Sequence, residues 1–148
     1  METKQKNIQY NLFIGRYQSP HKGHQTIFDE YLKKGLPVLI AIRDVEVDEK
    51  NPLPAHIILS LWREVYVDNP LVEVIIIPDI ASVNYGRGVG YDVKEIKVED
   101  NIANISATEI RSQILNGKDD WKQFVDEKIH TYLENAFKNI YGSNNKWK

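Results

Sequence analysis

Apolar positions change their period several times along the chain, and each change predicts an element. Residues 10–14 (YNLFI) are a short apolar run ending at Gly15. A polar, proline-containing loop follows, and then an amphipathic stretch over about 24–34 reads as a helix. Gly35 stops that helix, and residues 38–42 (VLIAI) are continuously apolar, as in a strand covered on both faces of a parallel sheet. A polar loop over 43–54 leads to a second amphipathic helix over about 55–67, and residues 72–77 (VEVIII) read as a third buried strand. Beyond this βαβαβ pattern, 78–90 is a glycine-rich loop, 91–98 alternates like an edge strand and 102–105 is a weak candidate for a further strand. Helical spacing returns over 107–115 and about 126–140, and the polar tail 142–148 reads as frayed.

Alternating strands and helices imply right-handed crossovers. The expected fold is therefore α/β: a Rossmann-like, doubly wound, mainly parallel sheet with helices on both faces. With 148 residues the chain suits a single domain with its own core, expected over 8–141. In such sheets ligands bind outside the carboxyl ends of the strands, which directs attention to the loops after Ile14, Ile42 and Ile77 and the one before Ala107.

Composition narrows the chemistry. There is no cysteine, so thiol nucleophiles and thiolate metal sites are excluded and histidines and carboxylates must carry any polar chemistry. The net charge is −2 with basic residues scattered along the chain, which argues against a nucleic-acid partner and for small-molecule ligands. The apolar runs are too short to span a bilayer and the N-terminus has no signal-peptide pattern, so no membrane partner and a cytoplasmic location are expected. Association into a homo-oligomer is left open.

The loop after the first strand reads Gly15-Arg16-Tyr17-Gln18-Ser19-Pro20-His21-Lys22-Gly23-His24. Two histidines three residues apart at a helix start can point the same way, and the helix N-terminus offers free N–H groups to an anion. Gly23 removes a side chain where a phosphate would approach, and Arg16 and Lys22 add charge. A surface loop with incidental histidines, or a zinc pair, is the alternative, but the loop lies where ligands are expected, and two histidines with no nearby carboxylate or cysteine make an incomplete metal site, so no metal ligands are assigned.

His21-Lys22-Gly23-His24 resembles the HxGH signature of the nucleotidylyltransferase superfamily, which includes cytidylyltransferases and the nicotinamide mononucleotide and pantetheine-phosphate adenylyltransferases. The wider GRYQSPHKGH segment fits it too. The resemblance implies that His21 and His24 bind the triphosphate and stabilise charge at its α-phosphate, with Gly15, Arg16, Tyr17, Ser19 and Gly23 also at the nucleotide. It implies no covalent intermediate, and catalysis by positioning and electrostatics.

Ile105-Ser106-Ala107-Thr108-Glu109-Ile110-Arg111 stands before the third helical pattern. Ser106 and Glu109 suit a capping box, which leaves Thr108 and Arg111 unexplained. The segment is similar to the superfamily's second signature, ISxTxxR, and by that resemblance Ser106, Thr108 and Arg111 hold the outer phosphates, with Arg111 also counted as catalytic. The similarity spans roughly 12–115 and leaves the remaining C-terminal residues outside it.

The acceptor is expected at the other loops. Arg43, at a strand's carboxyl end, is a candidate for the acceptor phosphate, with Asp79, Tyr85 and Arg87 as weaker ones. The acidic residues of 44–54 read as a solvated loop, and the glycines of YGRGVGY suit a simple turn as well as a ligand loop. Together RDVEVDEKNP and YGRGVGY also look similar to cytidylyltransferase-like domains. His56, His130, Trp62 and Trp121 suit surface or packing positions. The expected activity is thus transfer of a nucleoside monophosphate from CTP or ATP to a small phosphorylated acceptor, with Mg2+ bridging phosphate oxygens. Nicotinamide mononucleotide adenylyltransferase and an inactive nucleotide-binding module are the alternatives.

Overall fold

The computed structural model describes residues 8–88, 90–95 and 106–144. Its order is β1 (Asn11–Gly15), α1 (Lys22–Lys33), β2 (Val38–Asp44), α2 (Ala55–Val65), β3 (Val72–Pro78), α3 (Ala107–Leu115), two 3-10 turns (Asp120–Phe124 and Glu127–Ile129) and α4 (His130–Asn144). The three strands form a parallel sheet in the order β1-β2-β3, with Phe13, Ile40 and Val74 in one row across it. The protein is an α/β fold of the Rossmann-like kind built on a small sheet.

Both crossovers run in the same direction, so right-handedness puts α1 and α2 on the same face. The side chains agree: Phe13 packs edge-on against Phe28 and Tyr31 of α1, each at 5.1 Å, and Phe28 meets Trp62 of α2 at 5.3 Å. On the opposite face of the sheet Leu12 is 53% exposed. The core continues from Trp62 through Ile110 and Ile114 of α3 to Trp121, Leu133, Phe137 and Tyr141. A single apolar cluster therefore joins the C-terminal helices to the sheet layer, and burying each of its large side chains contributes roughly 1.5–3 kcal/mol.

Helix ends follow local chemistry. Gly35 (φ 74°) closes α1 with Gly35 N–H donating to Leu32 O and Leu36 N–H to Tyr31 O, both at 3.0 Å, and Gly117 (φ 70°) closes α3 in the same way. The start of α1 lies two residues before the expected one, because His21 caps it. The C-terminal part departs further from expectation. The expected helix over 126–140 begins only at His130, after two 3-10 turns. Asp126 accepts from Lys128 N at 2.9 Å and the His130 ring bonds Val125 O at 2.7 Å, so side chains hold this stretch in turns while Trp121 is buried. Helix α4 then runs to Asn144, into the tail expected to fray. Residues 91–95 of the expected edge strand form no strand, and its remainder lies outside the described residues together with the candidate strand at 102–105. Among the described residues no helix is long and apolar enough to cross a membrane.

Candidate functional site

The loop from β1 to α1 is pinned by Tyr17 and Gln18. The Tyr17 ring, at φ 52°, turns into the core and packs edge-on against His24 at 5.0 Å and Trp62 at 5.6 Å. A Cβ on Gly15 would lie 2.9 Å from Tyr17 Cζ, so packing alone accounts for that glycine. Gln18 bonds both backbone groups of Leu53 and thereby ties this loop to the one before α2. Ser19 is fully buried, and its Oγ has no hydrogen-bond partner among the described residues.

The histidines of the loop form a reciprocal cap. His21 Nδ1 accepts from Gly23 N–H and His24 Nδ1 accepts from His21 N–H, both at 3.1 Å. His21 is extended (φ −149°, ψ 174°), as an N-cap should be, and the two rings stack at 3.8 Å and 19°. A ring nitrogen that accepts carries no proton, so in each neutral ring the proton sits on Nε2. Burial pushes His21 down to about 4, and burial followed by the charge of His21 pushes His24 down to about 3. Both rings are neutral at pH 7, and each presents a single N–H on the edge away from its cap. Neither Nε2 has a hydrogen-bond partner among the described residues.

One sequence expectation changes here. The N–H groups at the start of α1 are already used: Gly23 N–H by His21 Nδ1, and the N–H groups of His24 and Gln25 by His21 O at 3.0 and 3.2 Å. The donors this loop leaves for an anion are instead the two Nε2–H groups, polarised through the cap by the positive end of the helix.

The second expected element lies at the start of α3. Ser106 is its N-cap, with Oγ accepting from Glu109 N–H at 3.2 Å, while the Glu109 carboxylate turns to Gln113 Nε2 at 3.2 Å. Thr108 is exposed. Arg111 is half-buried, makes no ion pair among the described residues, and acts electrostatically on Tyr141 of α4. Burial raises that phenol, Arg111 lowers it, and Glu49 of the β2–α2 loop raises it, so residues of α3, α4 and that loop sit near one another. No hydrogen bond or ion pair joins the histidine pair to Ser106, Thr108 or Arg111 among the described residues.

Two expected acceptor residues are brought together, but by pairing with each other. Arg43 Nε and Nη2 donate to Asp79 Oδ1 at 3.0 and 2.7 Å, joining the carboxyl ends of β2 and β3. Tyr85 (60% exposed) and Arg87 stand in open loop, as does Arg16 at the first loop. Among the described residues no three His, Asp or Glu side chains group as a metal site would require. His56 is exposed, and His130 packs on Trp121 at 5.2 Å, as their patterns suggest.

Sequence reasoning missed Gln18, and it missed the link from Gln25 Nε2 to Asp126 Oδ2 at 3.1 Å. The partners are 35 and 101 residues apart, and no local pattern announces either pair. Compared with models of protein families and with curated proteins, the sequence matches none.

Proposed function

We propose that this protein is a nucleotidylyltransferase that moves a nucleoside monophosphate from CTP or ATP to a small phosphorylated acceptor. The observation that carries the reading is the stacked His21–His24 pair in the loop after β1, with both Nδ1 atoms bound in the cap and both Nε2–H groups without a hydrogen-bond partner among the described residues. Two neutral donors fixed side by side before any ligand arrives suit the non-bridging oxygens of a phosphate. The resemblance of the two signature segments to the HxGH superfamily agrees with that use.

In the reaction an oxygen of the acceptor phosphate attacks the α-phosphorus, the bond from that phosphorus to the α–β bridging oxygen breaks, and pyrophosphate leaves with the bond's electron pair. No proton has to move at the histidines. His21 and His24 stabilise charge on the α-phosphate oxygens, while Ser106, Thr108 and Arg111 hold the outer phosphates. The donor set on this chain suits phosphate rather than a bare cation, since no protein cage for a metal is grouped among the described residues. Magnesium would arrive on the triphosphate and supply neutralisation of its crowded charge.

A thermal-shift panel of nucleoside triphosphates with magnesium, followed by a pyrophosphate-release assay with phosphorylated acceptors, tests the reading. A raised melting point with CTP or ATP and release of pyrophosphate are expected. Binding without turnover would leave only a nucleotide-binding module, and no stabilisation by any triphosphate would sink the proposal.

A further inference from the structure

The C-terminal segment holds both halves of the candidate site. It carries α3, and with it Arg111, by apolar packing: Ile110 and Ile114 share a core with Leu133, Phe137 and Tyr141 of α4. It holds α1 by a polar bond, because Gln25, the residue after His24, donates to Asp126 Oδ2 at 3.1 Å. Asp126 is itself immobilised, since its other oxygen accepts from Lys128 N at 2.9 Å and caps the second 3-10 turn. One turn further along α1, Asp29 accepts from Tyr66 OH at 3.0 Å, so the same side of α1 is tied to the end of α2 as well.

We propose that Asp126 is a positioning residue which, through Gln25, sets the first turn of α1 and with it the direction of the two histidine Nε2–H donors. The catalytic part of this inference rests on the function proposed above; the positional part does not. A half-buried carboxylate with each oxygen committed to a different element is a rigid anchor, whereas a helix start capped only by its own histidines can shift as a unit. Donors that must meet charge on one phosphate lose most of their effect when displaced by a fraction of a bond length.

A charge-swap series provides the test. Gln25→Glu places a carboxylate against Asp126 and breaks the bond. Adding Asp126→Asn restores it, because the asparagine amide can donate to the introduced carboxylate while its oxygen still accepts from Lys128 N. Lys128→Ala is the control: it removes the bond from Lys128 Nζ to Val65 O, which ties the same segment to α2 instead. Amide hydrogen exchange at Gly23 and His21, the two N–H groups of the histidine cap, reads position directly. Pyrophosphate release reads its consequence.

With Gln25→Glu, exchange at both amides is expected to quicken and turnover to fall about tenfold, with little change in the half-saturation value for triphosphate. The double variant recovers both readouts, and Lys128→Ala leaves the exchange of these amides unchanged. Unchanged exchange in Gln25→Glu, or the same loss in the double variant as in the single one, overturns the proposal. Should the wild-type protein release no pyrophosphate, the functional reading fails while the exchange data still decide whether Asp126 sets the cap.

Discussion

Gln18 bonds Leu53 as a neighbouring strand would: its Oε1 accepts from Leu53 N–H at 2.9 Å and its Nε2 donates to Leu53 O at 2.6 Å. One side chain thus satisfies both backbone groups of a residue that is only 1% exposed, and it locks the histidine loop onto the loop before α2. Beside this clamp, Asp48 Oδ1 accepts from the backbone of Lys50 and Asn51, so the second loop is rigid where it meets the first.

Gln18→Ala should therefore destabilise the fold by about 2–3 kcal/mol, because it leaves a buried donor and a buried acceptor without partners. Urea unfolding measures this. An unchanged midpoint would mean that water replaces the side chain without cost.

Cap and donor can be separated at position 21. Asparagine is a strong N-cap but cannot reach beyond the cap as the imidazole does, so His21→Asn should keep stability within about 1 kcal/mol while slowing pyrophosphate release roughly a hundredfold. His21→Ala should lose the turnover and also about 0.5–2 kcal/mol of stability. If His21→Asn retains near-normal turnover, the histidine is a cap and nothing more.

Acid should destabilise the protein through the same pair. An unfolded histidine takes up its proton near 6.5, whereas folded His21 and His24 resist protonation down to about 4 and about 3. As pH falls below 6.5 the unfolded chain binds more protons than the folded one, so this contribution is full above that value and declines toward the folded values. The limiting slope is about 1.4 kcal/mol per pH unit for each ring. Denaturation midpoints compared between about pH 7 and about pH 5 should fall in the wild type, and much less in a His21→Asn, His24→Gln variant, whose side chains can still cap. Parallel profiles would exclude the histidines as the source.

The ion pair of Arg43 and Asp79 is partly exposed, so breaking it should cost little stability, less than about 1 kcal/mol. Asp79→Asn removes the charge that occupies the guanidinium and should lower the half-saturation value for the phosphorylated acceptor; Arg43→Ala should raise it. No response to either change in steady-state kinetics would remove the pair from the acceptor site.

Much of this molecule is legible from local pattern. The run VLIAI reads as a strand and is one, Gly35 and Gly117 end helices because a left-handed residue closes them cheaply, and Ser106 caps α3 where its spacing to Glu109 suggests. The positions of His21 and His24 at a strand-to-helix junction are equally clear. The turns over 120–129 are not, because the side chains of Asp126 and His130 compete with the helical backbone there and win only once Trp121 is buried.

Which residue types stand at the carboxyl end of β1 and before α3 is written locally, since periodicity and capping are encoded within a few residues. How they are presented depends on the packed chain. The histidine tautomers follow from a cap geometry that spacing alone leaves open, their neutrality follows from burial, for His24 beside Tyr17 and Trp62, and the pairing of Arg43 with Asp79 follows from strand register. Hydrogen-bond direction and desolvation depend on what surrounds a group in space, and those surroundings are assembled from segments far apart along the chain.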